Sequence, residues 1–313
     1  MLHSHLATPK ATLETLQAFG LYTKKRLGQH FLIDDNVIGR ILDAAQVAES
    51  DQLLEIGPGI GVLTVALLRQ LGDGGRLLAL EYDAQLIEVL KYTTSALAAS
   101  HETQGTPKLT ILNEDALNIP KAELPLQPTK LIANLPYQVA ATNVLDCFEY
   151  LPSMQQATVM VQREVAQRMA ATPGTKAYGA YSAKLQLLAK PVGSFAVSRN
   201  SFLPPPRVDS SVITLVRRSE KDALITDPNH YRKAATLIDA CFAQRRKTIY
   251  NNLRAAENDK ELIGHTSMLK TPLSLPANKQ ALLEVLEQAG ISPSLRAEKL
   301  APQDFVNLTK LFS

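Results

Sequence analysis

The strongest constraint on the fold is one decapeptide, Gln52-Leu-Leu-Glu-Ile-Gly-Pro-Gly-Ile-Gly61. A short apolar run ends in alternating glycines and passes into an apolar stretch, Val62 to Leu71, that reads as a helix. Strand, glycine turn and helix open a βαβ unit, because glycine lets the backbone turn tightly and lets a ligand approach the main chain. The chain is thereby committed to a parallel α/β sheet, with a ligand crevice at the carboxyl ends of its strands. Two departures from a dinucleotide fingerprint narrow the ligand. The third glycine falls one residue early, with Val62 at the expected place, and Glu55 stands two residues before Gly57. A carboxylate there repels a pyrophosphate and suits an ammonium or sulfonium, so Gly57 and Gly59 fit S-adenosylmethionine better than NAD.

Three further strands end in chemistry-bearing residues. Arg76 to Tyr82 ends in Glu81, 24 residues after Gly57, close to the acid that binds ribose hydroxyls roughly 20 residues on in such folds. A helix from Asp83, its N-cap, to about Ala98 follows. Lys108 to Asp115 is the next strand, and Asp115 can accept a hydrogen bond from an adenine amine. Lys130 to Tyr137 is the fourth, stopped by Pro136, which has no N–H to donate. The Asn134 oxygen and the carbonyl beside Pro136 can accept two N–H bonds from an exocyclic amine, while Tyr137 offers a stacking face. Taken alone, Asn134-Leu135-Pro136-Tyr137 reads equally well as a strand-ending turn with a buried tyrosine.

At 313 residues and 45% hydrophobic content, the chain can build one large α/β domain and a smaller one. Cys147 and Cys241 lie in apolar helical runs and read as buried thiols of a reducing cytosol. No signal pattern and no run of membrane-spanning length is visible, so a cytoplasmic protein without a membrane span is expected. The six histidines form no cluster with metal-ligand spacing. Charge is uneven: residues 51–150 hold 6 Lys+Arg against 12 Asp+Glu, whereas residues 171–219 hold 7 against 1. That split points to a cationic or polar small ligand on one side and a polyanion on the other, unless both blocks are merely solvated faces.

Residues 1–22 read as a helical extension, with Thr12 as N-cap and Gly20 as the stop. Lys24, Lys25 and Arg26 can meet phosphate, and Gln29 with His30 can line a pocket, although a lone histidine is more often structural. Asp34 and Asp35 cap a helix from about Asn36 to Ala45. Phe202-Leu-Pro-Pro-Pro206 is a stiff bridge between two strands that can hold Phe202 at a fixed height, opposite Tyr137. Beyond about residue 220 the strands cease. A helix from Tyr231 to Arg246 ends in Arg245-Arg246-Lys247, which reads as phosphate contacts or as a solvated face.

The glycine loop, Glu81, Glu114-Asp115-Ala116 and Asn134-Leu-Pro-Tyr137, in this order and spacing, resemble the KsgA/RsmA family of ribosomal RNA adenine N6,N6-dimethyltransferases. Leu27-Gly-Gln-His-Phe-Leu32, Gln162 to Arg168, Lys176-Ala-Tyr-Gly179, Phe202 to Val212 and Phe242 to Thr248 extend the resemblance over nearly the whole chain. His30 stands where many members have asparagine. The resemblance implies a Rossmann-like, seven-stranded class I S-adenosylmethionine-dependent methyltransferase domain over residues 23–219, with six parallel strands and one antiparallel, and a small all-helical RNA-binding domain over 220–313. It implies methyl transfer from S-adenosylmethionine to the N6 amines of two adjacent adenosines in the 3′-terminal hairpin loop of 16S rRNA, on a precursor of the 30S subunit, by a monomer. The cofactor is then held by His30, Leu32, Gly57, Glu81, Asp115 and Asn134, with Gln29 and Gly59 beside them. Asn134, Leu135, Pro136, Tyr137 and Phe202 serve the target base, and Lys24, Lys25, Arg26, Arg207, Arg245, Arg246 and Lys247 the RNA. Two alternatives on the same fold are an erythromycin-resistance-type 23S rRNA methyltransferase and a non-catalytic ribosome-assembly factor.

Overall fold

The computed structural model describes residues 2–21, 29–99, 107–121, 123–258, 275–276 and 278–312. In chain order the elements are α1 (Pro9–Ala18), β1 (Phe31–Leu32), α2 (Asp35–Ala45), β2 (Gln52–Ile56), α3 (Val62–Gln70), β3 (Arg76–Glu81), α4 (Ala84–Ala99) and β4 (Leu109–Asn113). Then come β5 (Lys130–Asn134), α5 (Ala140–Tyr150), β6 (Gln156–Gln162), α6 (Arg163–Met169), α7 (Ala180–Leu188), β7 (Ala189–Val197), β8 (Phe202–Leu203) and β9 (Ser210–Arg217). Among the described residues the α-helices that follow are α8 (Pro228–Phe242), α9 (Ile249–Asn258), α10 (Lys279–Gln288) and α11 (Pro302–Leu311).

Seven strands form one sheet in the order β4-β3-β2-β5-β6-β9-β7. β2 runs parallel to β3 and β5, β3 to β4, and β5 to β6, whereas β9 is antiparallel to β6. The chain winds outward from β2 to β4 and then returns to β2's other side as β5. Winding direction therefore reverses between β2 and β5, and open α/β sheets bind ligands at such a reversal. Leu53, Leu54, Leu77, Leu78, Leu131 and Ile132 are essentially fully buried, which is why these strands read as continuous apolar runs rather than alternating ones.

The chain divides into two compact units, residues 1–166 with 191–217 and residues 167–190 with 218–313. In the first, the helix near the N-terminus is capped by Thr8 and not by Thr12. Pro9 suits the first helical position, and the Thr8 hydroxyl accepts the Ala11 N–H at 3.1 Å. Thr12 is instead buried, donating its hydroxyl to the Leu6 carbonyl at 3.1 Å. Leu6 and Leu16 join the core, and the His3 and Ser4 N–H groups donate to the Asp35 carboxylate at 3.0 and 2.8 Å.

The second unit is a helical body around Tyr178, Leu237, Leu253 and Phe305. The sequence places its boundary near residue 220, yet α7 belongs to it, since Ala183 and Leu187 are buried in the same cluster. α8 stops at Phe242, so Arg245, Arg246 and Lys247 lie in the following turn rather than on the helix. The Asn252 side-chain amide donates to the Cys241 carbonyl in the last turn of α8 at 2.6 Å and to the Gln244 carbonyl just beyond it at 3.2 Å, satisfying a carbonyl that the end of the helix leaves open. Cys147 and Cys241 are free, buried thiols. Among the described residues no helix is long and apolar enough to cross a membrane.

Candidate active site

The carboxyl ends of β2, β3, β4 and β5 converge on a cavity of about 260 Å³. Its walls come from Gln29–Leu32, Glu55–Gly59, Val62 and Leu63, Leu80–Asp83, Leu86, Glu114–Leu117, Asn134–Val139 and Asn143. Every residue expected to hold a cofactor, namely Gln29, His30, Leu32, Gly57, Gly59, Glu81, Asp115 and Asn134, lines this one space. So do Leu135, Pro136 and Tyr137.

Glu81 organises the rim. Its two carboxylate oxygens accept the Gly59 N–H at 3.0 Å and the Asp83 N–H at 2.8 Å, so the acid at the end of β3 fixes the glycine turn after β2. A carboxylate has about four lone-pair sites, and both oxygens keep capacity for a ligand. Burial is the largest influence on Glu81 and raises its pKa against those hydrogen bonds. Glu55 is buried more deeply, and desolvation pushes it up to about 8, opposed by the Thr64 hydroxyl and reinforced by Glu81. Among the described residues no hydrogen bond reaches its Oε2. Gly57 and Gly59 have φ of 69° and 61°, a conformation that favours glycine. A Cβ on Gly57 would lie 3.3 Å from Pro136 Cδ, so the glycine turn and the Asn134–Tyr137 turn are in contact.

The second turn is held from three sides. Asn134 Nδ2 donates to the His30 carbonyl at 3.2 Å, which leaves Oδ1 as the amide's acceptor. His30 Nδ1 lies 2.8 Å from the Pro204 carbonyl; a carbonyl only accepts, so this nitrogen carries the proton. The Tyr137 hydroxyl and Ser210 Oγ are 2.7 Å apart, and the His30 and Tyr137 rings stack with centroids 5.8 Å apart at 25°.

Phe202 is a correction. It is 2% exposed, pairs with Leu32 in the β1–β8 ladder, and sits in the hydrophobic core rather than on the cavity wall. The ring found against Tyr137 is His30. Lys24, Lys25 and Arg26 lie outside the described residues. Arg207, Arg245, Arg246 and Lys247 are exposed, with Arg245 donating to the Lys176 carbonyl at 2.7 Å and lying 3.6 Å from Glu298. Much of the basic block at 171–219 is structural: Lys184 pairs with Asp239 at 2.9 Å, Lys190 with Asp222 at 2.5 Å, and Arg217 and Arg218 donate to main-chain carbonyls.

Tyr82, Asp83, Glu114 and Asn143 also stand on the cavity wall, without a role that the sequence pattern marks. Tyr82 is 65% exposed, and its place directly after Glu81 was the available signal. Asp83 accepts from Gln29 Nε2 at 3.0 Å, and Glu114 from Asn118 Nδ2 at 2.7 Å.

The strand order, the reversal between β2 and β5, and the glycine turn and acids at successive strand ends define a class I S-adenosylmethionine-dependent methyltransferase fold. A model of the ribosomal RNA adenine dimethylase family matches residues 20–310, and the chain belongs to that family. Ribosomal RNA small subunit methyltransferase A from Ligilactobacillus salivarius is 37% identical over 306 residues, covering 97% of this chain and 95% of the relative. The protein of the same name from Rhodococcus opacus is 39% identical over 304 residues, covering 97% and 93%. Among solved structures, a dimethyladenosine transferase from Plasmodium falciparum superposes with a TM-score of 0.67 at 26% identity, covering 89% of this chain and 96% of that one. The 23S rRNA methyltransferase ErmE gives 0.61 at 22% identity, covering 90% and 99%, a likeness of fold.

Proposed function

We propose that the chain transfers methyl groups from S-adenosylmethionine to the N6 amines of two adjacent adenosines in the 3′-terminal hairpin loop of 16S rRNA, acting as a monomer on a cytoplasmic 30S precursor. The observation that carries this reading is that Asn134–Tyr137 shares one cavity with Gly57, Glu55 and Glu81. The cavity suits the donor: acids at the ends of β3 and β4 can accept from ribose and adenine, Tyr82 offers a stacking face, and the orphaned Glu55 oxygen suits a cationic group. The donor supplies an electrophilic methyl group and a neutral leaving group.

An adenine amine is a poor nucleophile, because its lone pair is delocalised into the ring. Asn134 Oδ1 accepts one of its hydrogens. The Leu135 carbonyl, or the lone pair that the Pro136 carbonyl keeps beside the Val139 N–H it accepts at 3.2 Å, takes the other. Accepting both hydrogens favours a pyramidal nitrogen and aims its lone pair at the methyl group, a contribution of positioning rather than of acid–base chemistry. His30 covers one face of Tyr137, and the other face takes the base once it leaves its stack. Arg207, Arg246 and Lys247 meet phosphate.

The test is methyl transfer from radiolabelled donor to unmethylated 30S particles and, separately, to unmethylated 23S rRNA, with Asn134→Ala alongside. Dimethyladenosine on the 30S rRNA that disappears in the variant is expected. Label on 23S rRNA alone would make this a resistance-type enzyme, and binding of donor with no label on either substrate would favour an assembly factor.

A further inference from the structure

We propose that Asn143 is a further binding residue of this cavity and that, with Glu55, it takes the amino-acid end of the methyl donor. The inference rests on the cofactor reading given above and assigns a group within it.

Asn143 lies in the first turn of α5 and is 0% exposed. Among the described residues neither Nδ2 nor Oδ1 of its side chain has a hydrogen-bond partner, and the residue lines the cavity. An amide buried without partners loses its hydration at both ends and gains nothing in return, so native chains rarely keep one. Glu55 lines the same cavity, and its Oε2 is buried without a partner among the described residues. Both residues line one ligand space, and a ligand that brings partners accounts for the two orphaned groups together. The groups to be satisfied are one donor, Nδ2, and two acceptors, Oδ1 and the Glu55 carboxylate. An anion alone would leave Glu55 without a partner, and an amine alone would leave Nδ2 without one. An α-amino acid carries an ammonium with three N–H bonds and a carboxylate with several lone pairs, and so satisfies all three. The adenosine end has its own candidate acceptors in Glu81 and Asp115, at the ends of other strands.

The full-length chain is titrated calorimetrically with S-adenosylhomocysteine, which carries the amino-acid end, and with 5′-methylthioadenosine, which lacks it. Wild type is compared with Asn143→Leu and Asn143→Ala, and the thermal unfolding of each is recorded without ligand. Hydrogen bonds to charged groups predict a loss of about tenfold or more in S-adenosylhomocysteine affinity. Methylthioadenosine affinity is expected to stay within about twofold, which also reports that each variant is folded. Equal losses for both ligands, or unchanged affinity for both with a raised melting temperature, would overturn the assignment while leaving the cofactor reading standing. A wild-type chain that binds neither ligand would overturn the cofactor reading, and Asn143's role with it.

Discussion

Tyr137 Oη lies 2.7 Å from Ser210 Oγ, joining the turn after β5 to the first residue of β9. Burial raises the Tyr137 pKa and the serine lowers it, so the phenol stays neutral and its hydroxyl serves to fix the ring. Ser210→Ala removes that restraint and nothing else in the cavity. The expected outcome is a fall in kcat of about tenfold with S-adenosylhomocysteine affinity unchanged, and a stability loss of about 1 kcal/mol for one hydrogen bond. Single-turnover methyl transfer and denaturant unfolding measure the two. An equal loss of cofactor affinity would show that Ser210 supports the whole cavity instead.

Gly57 allows a second prediction with an internal control. Gly57→Ala places a Cβ in left-handed backbone and 3.3 Å from Pro136 Cδ, whereas Gly20→Ala, at φ +64°, meets nothing within 4 Å among the described residues. Both carry the conformational cost of about 1–2 kcal/mol, but only the first pushes on the Asn134–Tyr137 turn. Both variants should melt lower, and only Gly57→Ala should lose methyl transfer.

Glu55 makes stability and binding depend on pH in opposite senses. Its folded-state pKa of about 8 lies above the ordinary 4.5, so between these values the unfolded chain releases a proton that the folded chain keeps. The stabilisation is complete below about pH 4.5 and is lost as pH rises towards 8, with a slope of at most about 1.4 kcal/mol per pH unit. Glu55→Gln should flatten that part of the unfolding profile. A ligand ammonium favours the ionised carboxylate, so S-adenosylhomocysteine affinity should rise from pH 6 to 8 in wild type and not in Glu55→Gln.

What could be read from the sequence was local. Gly57, Glu81, Asp115 and Asn134 each sit at the carboxyl end of an apolar run, and a parallel sheet brings such ends together whatever the loops do. Phe202 could not be placed that way, because its burial depends on pairing with Leu32 across 170 residues of chain. Asn143 left no trace either: polar residues are ordinary in a helix of mixed character, and its condition exists only once β2 and α5 face the same cavity. The excess of cations at 171–219 was visible, but Lys184 and Lys190 are matched by Asp239 and Asp222, more than 30 residues later in the chain. Charge counted along a sequence does not register partners that folding supplies.

The same distinction orders the cations after α8. Arg245 is engaged with the Lys176 carbonyl and Glu298, so giving it to a phosphate would break interactions already made. Arg246 and Lys247, exposed in the same turn, are therefore the better candidates to meet phosphate. Replacing both by alanine should weaken binding to 30S particles and reduce the slope of log affinity against log salt by about 0.7 to 0.9 for each phosphate no longer neutralised. Arg245→Ala should leave that slope nearly unchanged and lower the melting temperature slightly, since an exposed ion pair contributes little. Filter binding across a salt series separates the two effects. A slope that responds to Arg245 as strongly as to its neighbours would mean that the Glu298 ion pair opens on the RNA.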